Sequence, residues 1–155
     1  PDLIDLVPRG YSFGSRDGIF ASDKFTVGSL ICFEIAADDI PRGLALEGAE
    51  VILSQTNNAD FGYSDETFQQ AAIARLRAIE TGRAVVNIST VGLSAIYLPD
   101  GSVLDELTWY TADAMVQNVP LIRGNTPATG IGLWFDGFNA ALALGFLALG
   151  LRRKK

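Results

Sequence analysis

An α/β fold with parallel strands is the class this sequence predicts, and three observations predict it. The run Phe25-Thr26-Val27-Gly28-Ser29-Leu30-Ile31 is apolar, rich in strand formers and too short for a core helix. A second such run, Glu50-Val51-Ile52-Leu53-Ser54, follows after one helix-length of chain. A third, Ala84-Val85-Val86-Asn87-Ile88, follows an amphipathic stretch that Gly82 closes. Strand, helix, strand at the spacing of the first two runs fits a right-handed βαβ unit with a parallel pair, and the third run gives a third strand.

Taken in order, residues 1–24 are rich in Gly, Pro, Ser and Asp. They carry turn signals at Pro8-Arg9-Gly10 and Arg16-Asp17-Gly18 and read as irregular lead-in with one short strand near Ile19-Phe20. After the first long strand, Asp38 and Asp39 are placed to cap a helix with Pro41 in its first turn, running to about Glu47 and stopping near Gly48. The loop at 55–64 follows the second strand and, if the pair is parallel, lies over the end of the first. Its amides and aromatics, Asn57, Asn58 and Phe61 among them, suit either a substrate rim or a plain polar loop. Residues 65–81 form a helix with Phe68, Ala72, Leu76 and Ile79 on one face, the face expected to be buried. Arg75, Arg77, Glu80 and Arg83 at its end read as an ion-pair network anchoring it. A hairpin turn at Pro99-Asp100-Gly101 joins strands at 94–98 and 103–104, and 114–119 supplies a further strand. Residues 121–132 read as loop.

The 155 residues hold one cysteine, no histidine, 12 basic and 18 acidic residues, and 48% hydrophobic content. That length suffices for one domain with a real core. Four of the twelve cations sit in the last four residues, so 1–151 carry a net charge of −10, which repels nucleic acid. One cysteine forms no intrachain disulfide, and without histidine a zinc site lacks ligands; neither metal nor cofactor is implied.

Cys32 stands at the tip of a strand, where open α/β sheets gather their chemistry. By itself it is compatible with a small core hydrophobe or with a nucleophile. Lacking histidine, any base for the thiol is a carboxylate or an amine, and Glu34 is the nearest carboxylate in sequence. Lys24, the one lysine outside the tail, is separated from Cys32 by a strand of about 26 Å and is a poor partner.

From residue 133 the composition changes. Fifteen uncharged residues lie between Asp136 and Arg152, giving about 22 Å of helix, or about 27 Å counted from Trp134, against a bilayer core of about 30 Å. With Trp134 and Phe135 at one interface and Arg152-Arg153-Lys154-Lys155 snorkelling at the other, 133–151 is expected to be a transmembrane helix. Positive charge on the inner side places the tail in the cytoplasm and the α/β layers on the outer face. The expected division is 1–122 α/β domain, 123–132 linker, 133–151 transmembrane helix and 152–155 basic tail. With Pro1 as its first residue, the chain is expected to be the C-terminal piece of something longer.

Four stretches together resemble the carbon-nitrogen hydrolase (nitrilase) superfamily, and within it the apolipoprotein N-acyltransferases of actinobacterial type. They are Ile31-Cys32-Phe33-Glu34; Gln55-Thr56-Asn57-Asn58-Ala59 with Phe61-Gly62; Arg75-Leu76-Arg77-Ala78-Ile79-Glu80-Thr81-Gly82-Arg83; and Ser94-Ala95-Ile96 with Pro99-Asp100-Gly101. The resemblance implies the C-terminal part of an αββα sandwich and a Glu-Lys-Cys triad with Cys32 as nucleophile. It further implies the Phe33 backbone N–H as an oxyanion donor, Glu34 as a supporting acid, and Asn57, Asn58 and Phe61 at the substrate. The triad's glutamate and lysine are expected upstream of Pro1; aligning Leu6-Val7-Pro8 with the family's lysine segment is set aside, because only 31 residues precede Cys32. Asp60 stands where many members have tryptophan.

The function so implied is transfer of an acyl chain from a membrane phospholipid, through a Cys32 thioester, to the N-terminal amine of a diacylglyceryl-cysteine apolipoprotein. Its expected location is the bacterial cell membrane, with the catalytic domain extracytoplasmic. Two other readings stay open. A soluble amidase or nitrilase would use the same triad on small C–N substrates, and a non-catalytic membrane module would need no triad at all. The C-terminal apolar run discriminates against the first, and the residues encoded ahead of Pro1 decide the second.

Overall fold

In the computed structural model the described residues are Gly14 and 18–152. The expected turn at Pro8-Arg9-Gly10, most of that at Arg16-Asp17-Gly18 and the tail at 153–155 lie outside them. The strands are β1 (Ile19–Ala21), β2 (Thr26–Ile31), β3 (Val51–Thr56), β4 (Ala84–Ser89), β5 (Ser94–Tyr97) and β6 (Val103–Leu107), and the helices are α1 (Asp39–Leu46), α2 (Glu66–Thr81) and α3 (Pro127–Arg152). They form one six-stranded sheet in sequence order. The expected parallel pair, β2 with β3, is present; β4 adds parallel to β3, while β1, β5 and β6 add antiparallel. Residue 31 lies across from 55 and 55 across from 88, so the carboxyl ends of β2, β3 and β4 are level.

Alternation along the strands separates two faces. Leu30, Ile52, Val85, Ala95 and Tyr97 point toward the helices and join Ile35, Leu44, Ala71, Ala74 and Ala78 in the core. Gly28 permits this closeness: a Cβ there would stand 3.1 Å from Ala49 and Leu44. On the other face Val27, Leu53 and Val86 are half-buried and Ile31 and Ile88 are exposed. Among the described residues there is thus one helical layer on one sheet, half of the expected αββα sandwich, and the second face is open to a partner layer.

Several expectations are corrected here. The buried face of α2 is not Phe68, Ala72, Leu76 and Ile79, which are exposed, but Thr67, Gln70, Ala71, Ala74, Arg77, Ala78 and Thr81. Bulky residues on the sheet leave room only for small ones on the helix at close approach. Asp38 occupies the N-cap of α1 without capping it through its side chain, because its carboxylate pairs with Arg77 instead. Of the four charged residues ending α2, only Arg77 and Glu80 pair with each other; Arg75 donates to the Gly101 carbonyl (2.5 Å) and Arg83 to those of Ala49 (2.6 Å) and Thr81 (3.1 Å). No strand forms at 114–119, where Val116 is 93% exposed and the segment meets the edge strand β6 through the Gln117 side chain, which donates to Asp105 at 2.8 Å.

The stretch expected as loop to residue 132 instead starts α3 at Pro127. Thr126 is the cap, its Oγ1 accepting the Thr129 N–H (3.0 Å), and proline takes the first helical position. The Thr126 hydroxyl, together with that of Thr129 (3.1 Å), donates to the Glu80 carbonyl and fixes α3 to the end of α2. Beyond Gly132 the helix is exposed and apolar, with Trp134 at 82% and Phe146 at 72% exposure. Even so, among the described residues no helix is long and apolar enough to cross a membrane by itself, so the span expected at 133–151 is not shown. Its uncharged length of about 22 Å falls short of a bilayer core.

Candidate active site

β2 delivers Cys32 to the carboxyl edge of the sheet, and the backbone there turns sharply. Cys32 has φ of 52°, a left-handed conformation unusual for a residue with a side chain. Strain of about 1–3 kcal/mol persists only where the surroundings enforce it. Here they do. Residues Cys32–Ala36 form a 3₁₀ turn. The Glu34 carboxylate folds back to accept the Ile31 N–H at 2.7 Å, and Ile35 is fully buried as its anchor. From α2 the buried Arg77 reaches under the turn, donating to the carbonyls of Ile35 and Ala36 at 3.0 Å each and to Asp38 and Glu80 at 2.5 Å each. The Arg77 hydrogen bond and charge hold the Asp38 carboxyl below the usual carboxylate range. Burial alone would lower the Arg77 guanidinium, but its bonds to Asp38 and Glu80 outweigh that and raise it.

Beside the sulfur stands a residue the sequence reading passed over. Thr56 ends β3 one step beyond the Ile31–Gln55 pair, and its Oγ1 is 3.5 Å from Cys32 Sγ. The same hydroxyl donates to Gln70 Oε1 at 2.9 Å. Asn58 Nδ2 donates to Gln70 Oε1 (2.8 Å) and to Glu66 Oε2 (2.5 Å), while Asn58 Oδ1 accepts from Ser89 Oγ (2.5 Å). Ser89 in turn accepts the Gly92 N–H at 2.9 Å. A Cβ on Gly92 would lie 2.6 Å from both Asn58 Oδ1 and Ser89 Oγ, so the loop closes over this network only as glycine. The signal in the sequence was the equal length of two parallel strands, which sets the polar residue ending one beside the thiol ending the other.

The residues singled out from sequence divide into two groups. Cys32, Phe33 and Phe61 lie at the edge; Phe33 and Phe61 are 73% and 49% exposed, and the Phe33 N–H, in the first positions of the 3₁₀ turn, has no intrahelical acceptor. Asn57, Asn58 and Glu34 instead hold the loops. Asn57 Oδ1 accepts from Ala59 N (3.2 Å) and Thr90 Oγ1 (2.7 Å), Asn58 is 2% exposed with its amide fully engaged, and the Glu34 carboxylate is bound to the turn it follows. A wall of aromatics stands at the α2 end of the loop: Tyr63 stacks on Tyr110 with ring centres 4.2 Å apart, and Trp109 meets Tyr63 and Phe68 edge-on at 5.3 and 5.0 Å.

A strained strand-tip thiol with a hydroxyl against its sulfur is equipped for nucleophilic chemistry at a carbonyl or nitrile carbon. Comparison with known proteins agrees in class. Residues 5–123 match the family described as carbon-nitrogen hydrolase. The chain is 34% identical over 118 residues to the apolipoprotein N-acyltransferase of Mycolicibacterium smegmatis, covering 75% of this chain and 19% of that protein. It is 37% identical over 145 residues to the apolipoprotein N-acyltransferase of Allorhizobium ampelinum, covering 92% and 26%. The chain thus spans about a fifth to a quarter of these relatives' length. In fold it is similar to a crystal structure of an amidase from Nesterenkonia sp., with a TM-score of 0.51 and 22% identity over 60% of this chain and 37% of the amidase. The strand-tip cysteine thus sits inside a sequence match that runs over most of the chain and on a sheet of the matching architecture: the chain belongs to the carbon-nitrogen hydrolase family.

Proposed function

We propose that this chain carries the nucleophile of an acyltransferase that moves an acyl chain from a membrane phospholipid to the N-terminal amine of diacylglyceryl-cysteine apolipoproteins. The observation that carries this reading is Cys32, held at φ 52° on the strand tip with the Thr56 hydroxyl 3.5 Å from its sulfur, in a chain similar to proteins named apolipoprotein N-acyltransferase. The Cys32 thiolate attacks the ester carbonyl, the Phe33 N–H and a lysine share the oxyanion, and collapse expels the lysophospholipid alkoxide, which takes up the proton. The apolipoprotein amine then attacks the thioester, an amide forms, and the thiol is regenerated. In this reading the glutamate base and the lysine come from outside residues 1–155, so the chain alone does not turn over. Phe33, Phe61 and the Tyr63–Tyr110 wall border the acyl donor, with Asn57, Asn58 and Glu34 keeping the loops around it in place.

The apolar length of α3 fits the same reading. We place it in the membrane beside other embedded segments of the whole protein rather than as a span of its own, with Trp134 and Phe135 near the interface, the basic tail cytoplasmic and the α/β layers extracytoplasmic. Shielding by the membrane surface would keep water from the thioester.

The test is to incubate the full-length protein with phospholipid labelled in its acyl chain and look for hydroxylamine-sensitive label on Cys32. Label on the wild type, absent from Cys32→Ala, is expected; a wild type that folds and transfers acyl chains with Cys32 unlabelled refutes the assignment. A soluble amidase is the second reading, favoured by the carbon-nitrogen hydrolase match over residues 5–123. Extraction of the full-length protein from cells by detergent only excludes it.

A further inference from the structure

The hydrogen bonds beneath Cys32 fix more than a loop. The Glu66 carboxylate can only accept, so the Asn58 group facing it is the amide NH₂. Ser89 accepts from Gly92 and keeps its own proton for Asn58 Oδ1, in agreement with the orientation that Glu66 sets. The NH₂ of Asn58 then faces the Gln70 side chain, so the Gln70 atom there is the carbonyl oxygen. That oxygen already holds one donor without help from Thr56. The Thr56 hydroxyl, 7% exposed and lying between Gln70 Oε1 at 2.9 Å and Cys32 Sγ at 3.5 Å, thus has one proton and two acceptors.

We propose that Thr56 is a two-position donor to the nucleophile: its proton rests on Gln70 while Cys32 is a thiol and turns onto the sulfur when the thiolate forms, with Gln70 and Asn58 as positioning residues. The inference deepens the nucleophile reading of Cys32 and rests on it. Turning costs Gln70 little, since Asn58 stays bound to it, whereas the sulfur, a weak acceptor as a thiol, becomes a strong one once charged. The same proton serves each half-reaction, because the sulfur is an anion both before attack and on leaving the tetrahedral intermediate. No proton leaves the hydroxyl at any stage, so the base of the reaction is still required elsewhere.

Cys32 is the only sulfhydryl in the chain, so its alkylation by iodoacetamide reports on this sulfur alone. The experiment follows alkylation of the 155-residue chain against pH for wild type, Thr56→Val and Thr56→Ser, with circular dichroism as the folding control. A hydrogen bond to a charged acceptor corresponds to roughly tenfold in thiolate fraction at its low end, and the less stabilised thiolate is intrinsically about threefold faster. The Thr56→Val curve is therefore expected about threefold below wild type near neutrality and about threefold above it on the alkaline plateau, so that the two cross. Thr56→Ser follows wild type. Superimposed curves, a uniform offset without crossing, or equal shifts in the valine and serine variants would overturn the proposal. Should Thr56→Val not fold, Thr56→Ala removes the same hydroxyl with less bulk and is held to the same outcomes. The assay uses no lipid, so a crossing profile in a protein that never acylates Cys32 would sink the acyltransferase reading and leave this one standing.

Discussion

Removing the guanidinium of Arg77 tests whether the strained cysteine is held from below. Arg77→Met keeps the aliphatic stem in its buried place but deletes four hydrogen bonds, to Ile35 O, Ala36 O, Asp38 and Glu80. Asp38, with its side chain 75% exposed, returns to water and contributes little. The carbonyl of the fully buried Ile35 has no such recourse, and an orphaned buried acceptor costs about 1–3 kcal/mol. Glu80, 16% exposed, keeps only Arg42 at 3.6 Å. Together the loss should be about 2–4 kcal/mol, a fall in Tm of roughly 5–15 °C for a domain of this size. Thermal unfolding followed by circular dichroism measures it. Hydrogen exchange should rise at 32–36 before anywhere else, since the turn relaxes once its anchor is gone. Arg77→Lys should recover only part, because a single ammonium cannot serve both carbonyls and both carboxylates. A loss below about 1 kcal/mol, or exchange at 32–36 unchanged, would refute the claim that α2 enforces the geometry of Cys32.

Other predictions follow from single contacts. Gly92→Ala forces a methyl among Asn58 and Ser89 and should cost about 1–3 kcal/mol in urea unfolding and slow acyl labelling of Cys32 in the full-length protein. The Glu50 carboxyl is held below the usual range by the Arg123 hydrogen bond (2.6 Å) and the Thr26 N–H (2.8 Å). A group depressed in the folded state stabilises above its unfolded value and loses that contribution as pH falls through the folded one. Tm should therefore drop on acidification from about pH 5 downward, and Glu50→Gln should flatten that limb. In a Trp109→Phe background the emission of Trp134 should shift to the blue and be quenched by brominated lipid when phospholipid vesicles are added; unaltered emission would remove α3 from the membrane.

The sheet was legible because its signals are local. Short runs of Val, Ile and Leu bounded by Gly and charged residues mark β2, β3 and β4, and Gly82, at φ 65°, marks the end of α2. Thr126-Pro127 is an equally local helix-start signal, a cap residue followed by proline at the first helical position, inside the stretch expected as loop. The face of α2 was not legible by the same means. The helix has two faces that pack in principle, one of large apolar residues and one of alanines, and periodicity does not say which meets the sheet. What decides is volume across the interface: Leu30, Ile52, Val85 and Tyr97 fill the sheet side, so Ala71, Ala74 and Ala78 fit against them and Leu76 does not. Thr56 was hidden for a related reason, since its partner in sequence is 24 residues away and only the strand register brings them together.

The polar residues on the buried face of α2 then make sense as a set. Gln70, Arg77 and Thr81 recur at helical spacing, among alanines that give no competing contact, and each is engaged by something other than the core. Gln70 holds the hydroxyl at the sulfur, Arg77 holds the turn that carries the sulfur, and Thr81 returns its hydroxyl to the Arg77 carbonyl, next to the Glu80 carbonyl that holds the cap of α3. A core helix with three hydrophobic residues in those places would pack more strongly, because buried polar groups return less than apolar ones of equal volume. The consequence is directional: a substitution at Gln70 should alter the thiol and leave α3 alone, one at Thr126 should loosen α3 and leave the thiol alone, and Arg77, placed between them, is the one position from which both should move.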